Sequence, residues 1–437
     1  MIAAARQRRR IAIGLVALAA SALLALAGAN AGALLAAGLA AAALALAVRG
    51  ALATIDPAPG AADFDARSAK VRAAVLADLV LGTAWQAGAW VRRVPQLARA
   101  AGDVEAAVAR WRERGWLELP ERAHALPPPL EKVEIALRGI RGGGTVEHLR
   151  FASEYEPADP EIAAAFLARR ANRTAHALLW RRRGAAPRPT LVSIHGFGMG
   201  RLATDVPWLR LRGLDLVALH EKAGVDVAYV ILPFHGPRSE GPSGAGFFDQ
   251  HPLVAAAALG QAIWDLRRIT GWLRAQGVPS IGVHGLSLGG CVAALLASLD
   301  ASLAAAIPMC PAVDLAQIFL GQLPEARRRE WIAAGLGPER LAEAWSLHAP
   351  LRHRPRTPHA GRLIVAACAD QVTVASGALA LHRHWDEAAL HWMPGGHMLW
   401  LGGAPLERRL HEHLCATLLA EPARAPSPPL SRFRRPA

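Results

Sequence analysis

Lysine is nearly absent from this chain: Lys70, Lys132 and Lys222 are the only three among 437 residues. The other 46 of its 49 basic residues are arginine, and with 35 Asp+Glu the formal net charge is +14. A charge of that size suggests a nucleic-acid binder, but no recognisable binding motif accompanies it. Four arginines before residue 11 and four after residue 423 carry +8, leaving +6 for everything between. The excess therefore belongs largely to the termini, and no nucleic-acid partner is expected. Cysteine is scarce too. Cys291, Cys310, Cys368 and Cys415 form no CxxC pair, which argues against a zinc site and against a disulfide scaffold. Disorder as the main state is excluded, because 53% of the residues are hydrophobic and the chain is long enough to bury a large core.

Charge of either sign is missing altogether from residues 11–48. One helix of that length would run to about 57 Å, well beyond a hydrocarbon core of about 30 Å. The expected arrangement is a membrane hairpin with spans at about 11–27 and 32–48, turning at Gly28-Ala29-Asn30-Ala31-Gly32. Arg6, Arg8, Arg9 and Arg10 precede the first span and Arg49 follows the second, so both ends face the cytoplasm at an inner or plasma membrane. A single tilted anchor is one alternative. A cleaved signal peptide, with Ala27-Gly28-Ala29 as its cleavage site and a secreted or periplasmic product, is the other.

Composition divides the chain into four stretches. Residues 1–50 hold the basic N-terminus and hairpin, and 51–125 a linker followed by a helical segment carrying Trp85, Trp90, Trp111 and Trp116. Those helices pack on the main domain or lie at the membrane surface. Residues 126–420 form an α/β domain, and 421–437 a basic tail rich in Pro and Ser that reads as disordered. In the third stretch, strand-like pieces at Val133–Leu137, Val146–Phe151 and Thr174–Trp180 come first. Apolar runs at Leu191–Ile194, Val225–Leu232, Ser280–His284, Ala304–Met309, Leu363–Cys368 and Ala389–Met393 then alternate with helical patterns at 205–222, 252–277, 288–299 and 404–419. Such alternation predicts a mostly parallel sheet of about eight strands with helices on both faces.

The chemistry centres on Gly285-Leu286-Ser287-Leu288-Gly289, a G-x-S-x-G set between a predicted strand and a predicted helix. A strand turning abruptly into a helix pushes the middle side chain clear of the backbone, and the flanking glycines remove what would collide in the turn. A serine hydroxyl is a poor nucleophile alone and requires a histidine base oriented by an acid. Asp370 stands at the end of the run Leu363–Cys368, and His397 follows the next run in a Pro-Gly-Gly-His loop. Asp314 is the competing acid. The candidate backbone donors for an oxyanion are the Leu288 amide, just after the nucleophile, and the Phe197 amide in His195-Gly196-Phe197-Gly198 at the end of another run.

Between about 130 and 420 these motifs, HGFG, GLSLGG, Asp370 and GGH, resemble those of the α/β-hydrolase superfamily. Its dienelactone-hydrolase and prolyl-oligopeptidase-related branches are the most similar, although dienelactone hydrolases carry a Cys nucleophile where this chain has Ser287. The run Leu232–Arg238 (LPFHGPR) resembles a little-characterised group of α/β-hydrolase-domain proteins. The resemblance implies attack by Ser287 on an ester, thioester or amide carbonyl, with His397 as base and Asp370 orienting it. It implies no metal and no organic cofactor.

Two segments are candidates for choosing the substrate. In the Gly/Pro-rich loop 233–251, His235 and Arg238 can hold an acidic group, while Phe247 and Phe248 can wall an apolar site; an ordinary solvated loop is the alternative. His195 completes the candidate substrate contacts. The insertion at about 315–360, with Ile318, Phe319, Leu320, Trp331 and Trp345, is either a lid suited to lipid-like acyl chains or ordinary helical packing. The reading is therefore a membrane-anchored serine hydrolase acting on a small or lipid-like carboxylic ester or thioester. An acyltransferase or peptidase using the same residues, and a tethered binding module without catalysis, are the alternatives.

Overall fold

A computed structural model describes residues 68–90, 97–141, 144–182, 184, 186–248 and 251–420, together with residue 42. The expected hairpin at 11–48 and the tail at 421–437 lie outside the described residues. Among those described, no helix is long and apolar enough to cross a membrane.

The described residues form one nine-stranded sheet, in the order β1-β2-β3-β5-β4-β6-β7-β8-β9. The strands are β1 (Glu134–Arg141), β2 (Gly144–Ala152), β3 (Thr174–Arg182), β4 (Thr190–Ile194), β5 (Asp226–Ile231), β6 (Ile281–Leu286), β7 (Ala305–Met309), β8 (Leu363–Ala367) and β9 (Ala389–Met393). β1, β2 and β3 pair antiparallel, β3 also pairs antiparallel with β5, and the pairings from β5 through β4 to β9 are parallel. The count of about eight is thus corrected to nine, as the strand-like pieces before residue 152 close into a β1–β2 hairpin at the sheet's edge.

The central strands are buried from end to end because both faces are covered. In β5, Ala228 and Val230 enter one core while Val227, Tyr229 and Ile231 enter the other. The larger core includes α6 (Pro252–Ala275) and the wholly buried α7 (Leu288–Leu299). The smaller holds α4 (Leu202–Leu211), α5 (Leu216–Lys222) and the last helix, Gly403–Thr417. The helix expected over 205–222 is divided between α4 and α5. Gly213, at φ 87°, separates them and approaches Gly403 so closely that a Cβ would lie 2.6 Å from the Gly403 nitrogen. Asp215 then caps α5 by accepting from the Val217 and Ala218 amides.

Two helices precede the sheet in sequence: α1 (Ala69–Trp90) and α2 (Leu97–Glu113). Val71, Val75 and Leu79 of α1, with Val104, Val108 and Trp111 of α2, are buried in the larger core. Trp111 also donates to Asp159 Oδ1 at 2.9 Å, at the start of α3 (Pro160–Leu167). Of the two packings expected for this segment, the described part of it takes the one against the main domain.

The order of strands reverses around β4, whose neighbours are β5 on one side and β6 on the other. Carboxyl ends of strands at such a reversal open a crevice. The loops after β4 and β6 both enter it.

Candidate active site

Ser287 joins β6 directly to α7 with φ 57° and ψ −113°, a conformation costly for a residue with a Cβ. Its backbone is pinned from several sides: Ser287 N donates to Met309 O at 2.8 Å, and Ser287 O accepts from Cys291 N and Ala312 N. The flanking glycines are required by space. A Cβ on Gly285 would lie 2.0 Å from Gly289 O, and one on Gly289 would lie 2.3 Å from Ile194 O. Ser287 itself is half-buried while its neighbours in sequence are fully buried, so the turn lifts this one side chain toward the crevice.

His397 Nε2 lies 2.9 Å from Ser287 Oγ, and its Nδ1 lies 2.7 Å from Asp370 Oδ2. Asp370 is held by the Val372 and Thr373 amides on Oδ1, at 2.8 and 2.7 Å, and by the Thr373 hydroxyl on Oδ2 at 2.8 Å. Burial opposes its charge. The charge of His397 and the hydrogen bonds from His397, Thr373 and Val372 outweigh that and hold the carboxyl below its ordinary range. His397 is pushed the other way: burial lowers its pKa, but the charge and hydrogen bond of Asp370, with help from Asp78, raise it above the ordinary histidine value. Asp314, the competing acid, caps α8 (Leu315–Gln322) by accepting from Gln317 N.

Across from the serine lies the loop after β4. A Cβ on Gly196 would sit 3.5 Å from Ser287 Cβ, so the backbone of Gly196-Phe197 passes close to the hydroxyl. Leu288 is the first residue of α7, which brings the positive end of a twelve-residue helix to the same point. His195 does not face a substrate. It is buried, its Nδ1 donating to Gly196 O at 2.8 Å and its Nε2 accepting from Leu232 N at 3.0 Å. Burial pushes its pKa down to about 4. It is a neutral brace between the ends of β4 and β5.

The same correction applies to His235 and Arg238, the expected holders of an acidic group. Arg238 is 1% exposed and pairs with Asp265 of α6 at 2.9 Å, donating also to Ile231 O and Asn172 O. Its charge is consumed inside the protein. His235 is wholly buried with Nδ1 on Pro233 O, and burial together with His195 lowers its pKa far below the ordinary value.

The phenylalanines divide. Phe247 is buried, whereas Phe248 is half-buried and links Phe197, at 5.6 Å between ring centroids, to Phe319 at 6.0 Å and Trp345 at 5.7 Å. An aromatic wall thus leads from the loop after β4 into the insertion at 315–360. That insertion folds as α8, α9 (Glu325–Ala333) and α10 (Pro338–Ala344), with Trp331 and Trp345 buried beneath it.

One residue at this site lay outside the sequence reading. Asp78, on α1, is 2% exposed and accepts hydrogen bonds from the backbone amides of Gln371, His397 and Met398 at 3.0, 2.6 and 2.6 Å. The sequence does carry a signal for it: an aspartate within the helical stripe Val71, Ala74, Val75 and Leu79.

Among the described residues, Cys310, Asp370 and His397 could bring three ligand atoms within 4.8 Å of one another. A metal ion there would compete with the Asp370–His397 hydrogen bond and with a thiol whose pKa burial and Asp370 push up.

No family model matches the chain. Among solved structures it is similar to an acetyl xylan esterase from a Paenibacillus species, with 17% identity and a TM-score of 0.48 over 71% of this chain and 94% of the other. The uncharacterized proteins Rv2627c and MT2702 of Mycobacterium tuberculosis are each 35% identical to it over 320 residues, covering 71% of this chain and 73% of theirs. The reversal at β4, the strained serine between β6 and α7, and the histidine and acid after β9 and β8 make the fold that of the α/β-hydrolase superfamily, and within it the chain belongs to the family of these two mycobacterial proteins.

Proposed function

We propose that the protein is a serine hydrolase that cleaves a carboxylic ester or thioester through an acyl-enzyme on Ser287. The observation that carries this reading is the continuous run of short hydrogen bonds from Ser287 Oγ through both nitrogens of His397 to Asp370. His397 Nε2 takes the hydroxyl proton as Ser287 Oγ attacks the carbonyl carbon, and Asp370 stabilises the imidazolium through Nδ1–H. The Phe197 and Leu288 amides receive the negative oxygen of the tetrahedral intermediate. The imidazolium returns the proton to the leaving alcohol or thiol, and water activated by the same nitrogen then releases the acid. The aromatic wall from Phe197 through Phe248 to Phe319 favours an apolar acyl group over an anionic one, since Arg238 is spent on Asp265. The uncharged run 11–48 accompanies this reading as a bilayer anchor, which extraction of membranes at alkaline pH tests.

The decisive experiment is labelling with a fluorophosphonate, which phosphonylates a serine activated in this way. Wild type is expected to label and Ser287→Ala to remain dark. A folded wild type that stays unlabelled and hydrolyses no ester across a panel of acyl lengths overturns the proposal.

A further inference from the structure

Asp78 is carried by a helix that precedes the hydrolase sheet, and 319 positions separate it from His397. A buried carboxylate is expensive unless it is hydrogen-bonded or paired. Here its partners are the two loops that carry the candidate acid and base. Oδ2 accepts from Gln371 N, next to Asp370, and from His397 N itself, while Oδ1 accepts from Met398 N. Successive amides converging on one anion make a nest of the kind that binds external anions; here the protein fills it with its own side chain. Gly396 lets the loop approach this closely, for a Cβ there would lie 2.5 Å from Asp78 Oδ2. On its own helix Asp78 is flanked by Ala74, Val75 and Leu79, buried residues that anchor α1 to the core.

Resting on the hydrolase reading, we infer that Asp78 is a positioning residue: it ties the His397 loop to the Asp370 loop and places a second negative charge beside the imidazolium that forms during acyl transfer. α1 is then part of the catalytic apparatus rather than a spacer before it. The charged and titratable groups around the pair are Asp370 after β8, His397 after β9, Cys310 after β7 and Arg212 at the end of α4. Burial and the charge of Asp370 push the Asp78 carboxyl up to about 6, against the pull of His397 and of the Met398 and His397 amides. It is therefore charged at pH 7 and loses that charge below about pH 6. Arg212, whose guanidinium lies between Trp208 and Trp400 at 3.7 and 4.5 Å from the ring centroids, is attracted to Asp78 and pulls the His397 pKa down.

The test compares full-length wild type, Asp78→Asn and Gly396→Ala by ester turnover and by NMR titration of the His397 imidazole, assigned by difference against His397→Gln. Asp78→Asn removes the charge, so the His397 pKa should fall by about half a pH unit or more. The acid limb of kcat/KM should move down with it, while kcat drops about tenfold to a hundredfold and KM changes little. Gly396→Ala keeps the charge but pushes the loop off the carboxylate, so kcat should fall with the limb scarcely moved. An unchanged His397 pKa in a folded Asp78→Asn overturns the inference. Should Asp78→Asn fail to fold, full kcat in Gly396→Ala overturns it instead. If wild type neither turns over ester nor labels with fluorophosphonate, the hydrolase reading has failed, and the NMR titration still decides whether Asp78 acts on His397.

Discussion

His397 and His195 stand on opposite sides of Ser287, both buried and both bonded through their two ring nitrogens, yet they differ in electrostatic character. His397 meets two carboxylates, Asp370 and Asp78, and its pKa is raised. His195 meets a carbonyl and an amide, and burial takes its pKa down to about 4. The loops after β8 and β9 therefore form a side that can accept and hold a proton. The loops after β4 and β5 form a neutral side, where the charge of Arg238 is turned inward to Asp265. Burial alone does not make a histidine a base. The identity of the group on its second nitrogen does.

The sharpest break between the sides is expected from His397→Ala, with kcat falling by about 10⁵ to 10⁶ as acylation loses its base. The matching change across the cleft, His195→Gln, retains a donor and an acceptor and should leave at least a tenth of the activity, by the order of a single neutral hydrogen bond of about 1 kcal/mol. Steady-state rates on a short ester compare the two. Equal losses would dissolve the distinction between base and brace. Next comes Asp370→Asn, expected to lower kcat by about 10⁴ because the amide favours the wrong tautomer of His397. Losing less than about tenfold would mean that Asp78 or Thr373 orients the ring without it.

Arg238→Ala probes the neutral side through stability. It leaves Asp265 buried and uncompensated, apart from Ser153 at 2.6 Å and the more distant charge of Arg268. Breaking a buried pair from one end typically costs about 3–5 kcal/mol, which urea denaturation would read. The folded fraction should keep its turnover. A fall in kcat for acidic substrates alone, at unchanged stability, would restore Arg238 as a substrate contact.

These contrasts explain which parts of the molecule were legible in the sequence. Ser287, Asp370 and His397 could be read because each sits where a buried strand ends, and strand ends are visible as apolar runs closed by glycine or a polar turn. The aromatic run Phe247-Phe248 was legible as apolar, though not that Phe247 would be interior and Phe248 half-exposed. His235 and Arg238 were legible only as residue types. Whether an arginine faces a substrate depends on its partner, and Asp265 lies on a helix that topology, not spacing, brings beneath it. Asp78 is the extreme case. Nothing local relates it to His397, and only its place in the apolar stripe of α1 hinted at a buried role.

Phe248→Ala tests the aromatic wall on the neutral side. Removing a half-buried ring next to Phe197 should lower kcat/KM for long or aromatic acyl groups by about tenfold, within the range for a lost apolar contact of 1–3 kcal/mol, and leave acetyl esters nearly unchanged. A uniform loss across acyl lengths would assign Phe248 to the support of the Phe197 loop.

The two sides also separate by their dependence on pH. Burial holds His195 and His284 at about 4, and His124 and His176 at about 3. Their folded pKa values lie below the unfolded value, so the stability they contribute is present above about 6.5 and is lost as pH falls toward 4. Asp78 has the opposite sign. Its folded value, about 6, lies above the ordinary value of 3.8, so its contribution is full below about 4 and lost as pH rises through 6. His397, raised above the ordinary value, is flat over this window because its contribution is lost only above it. In wild type the acid loss from the histidines is thus partly offset by Asp78. Asp78→Asn removes only the offset, so its stability should fall more steeply on acidification, and between pH 4 and pH 7 it should gain up to about 3 kcal/mol relative to wild type. Urea midpoints of the two proteins at matched pH give that difference. A difference independent of pH would mean that Asp78 binds its proton equally in the folded and unfolded chains, so that the amides of Gln371, His397 and Met398 fully offset its burial.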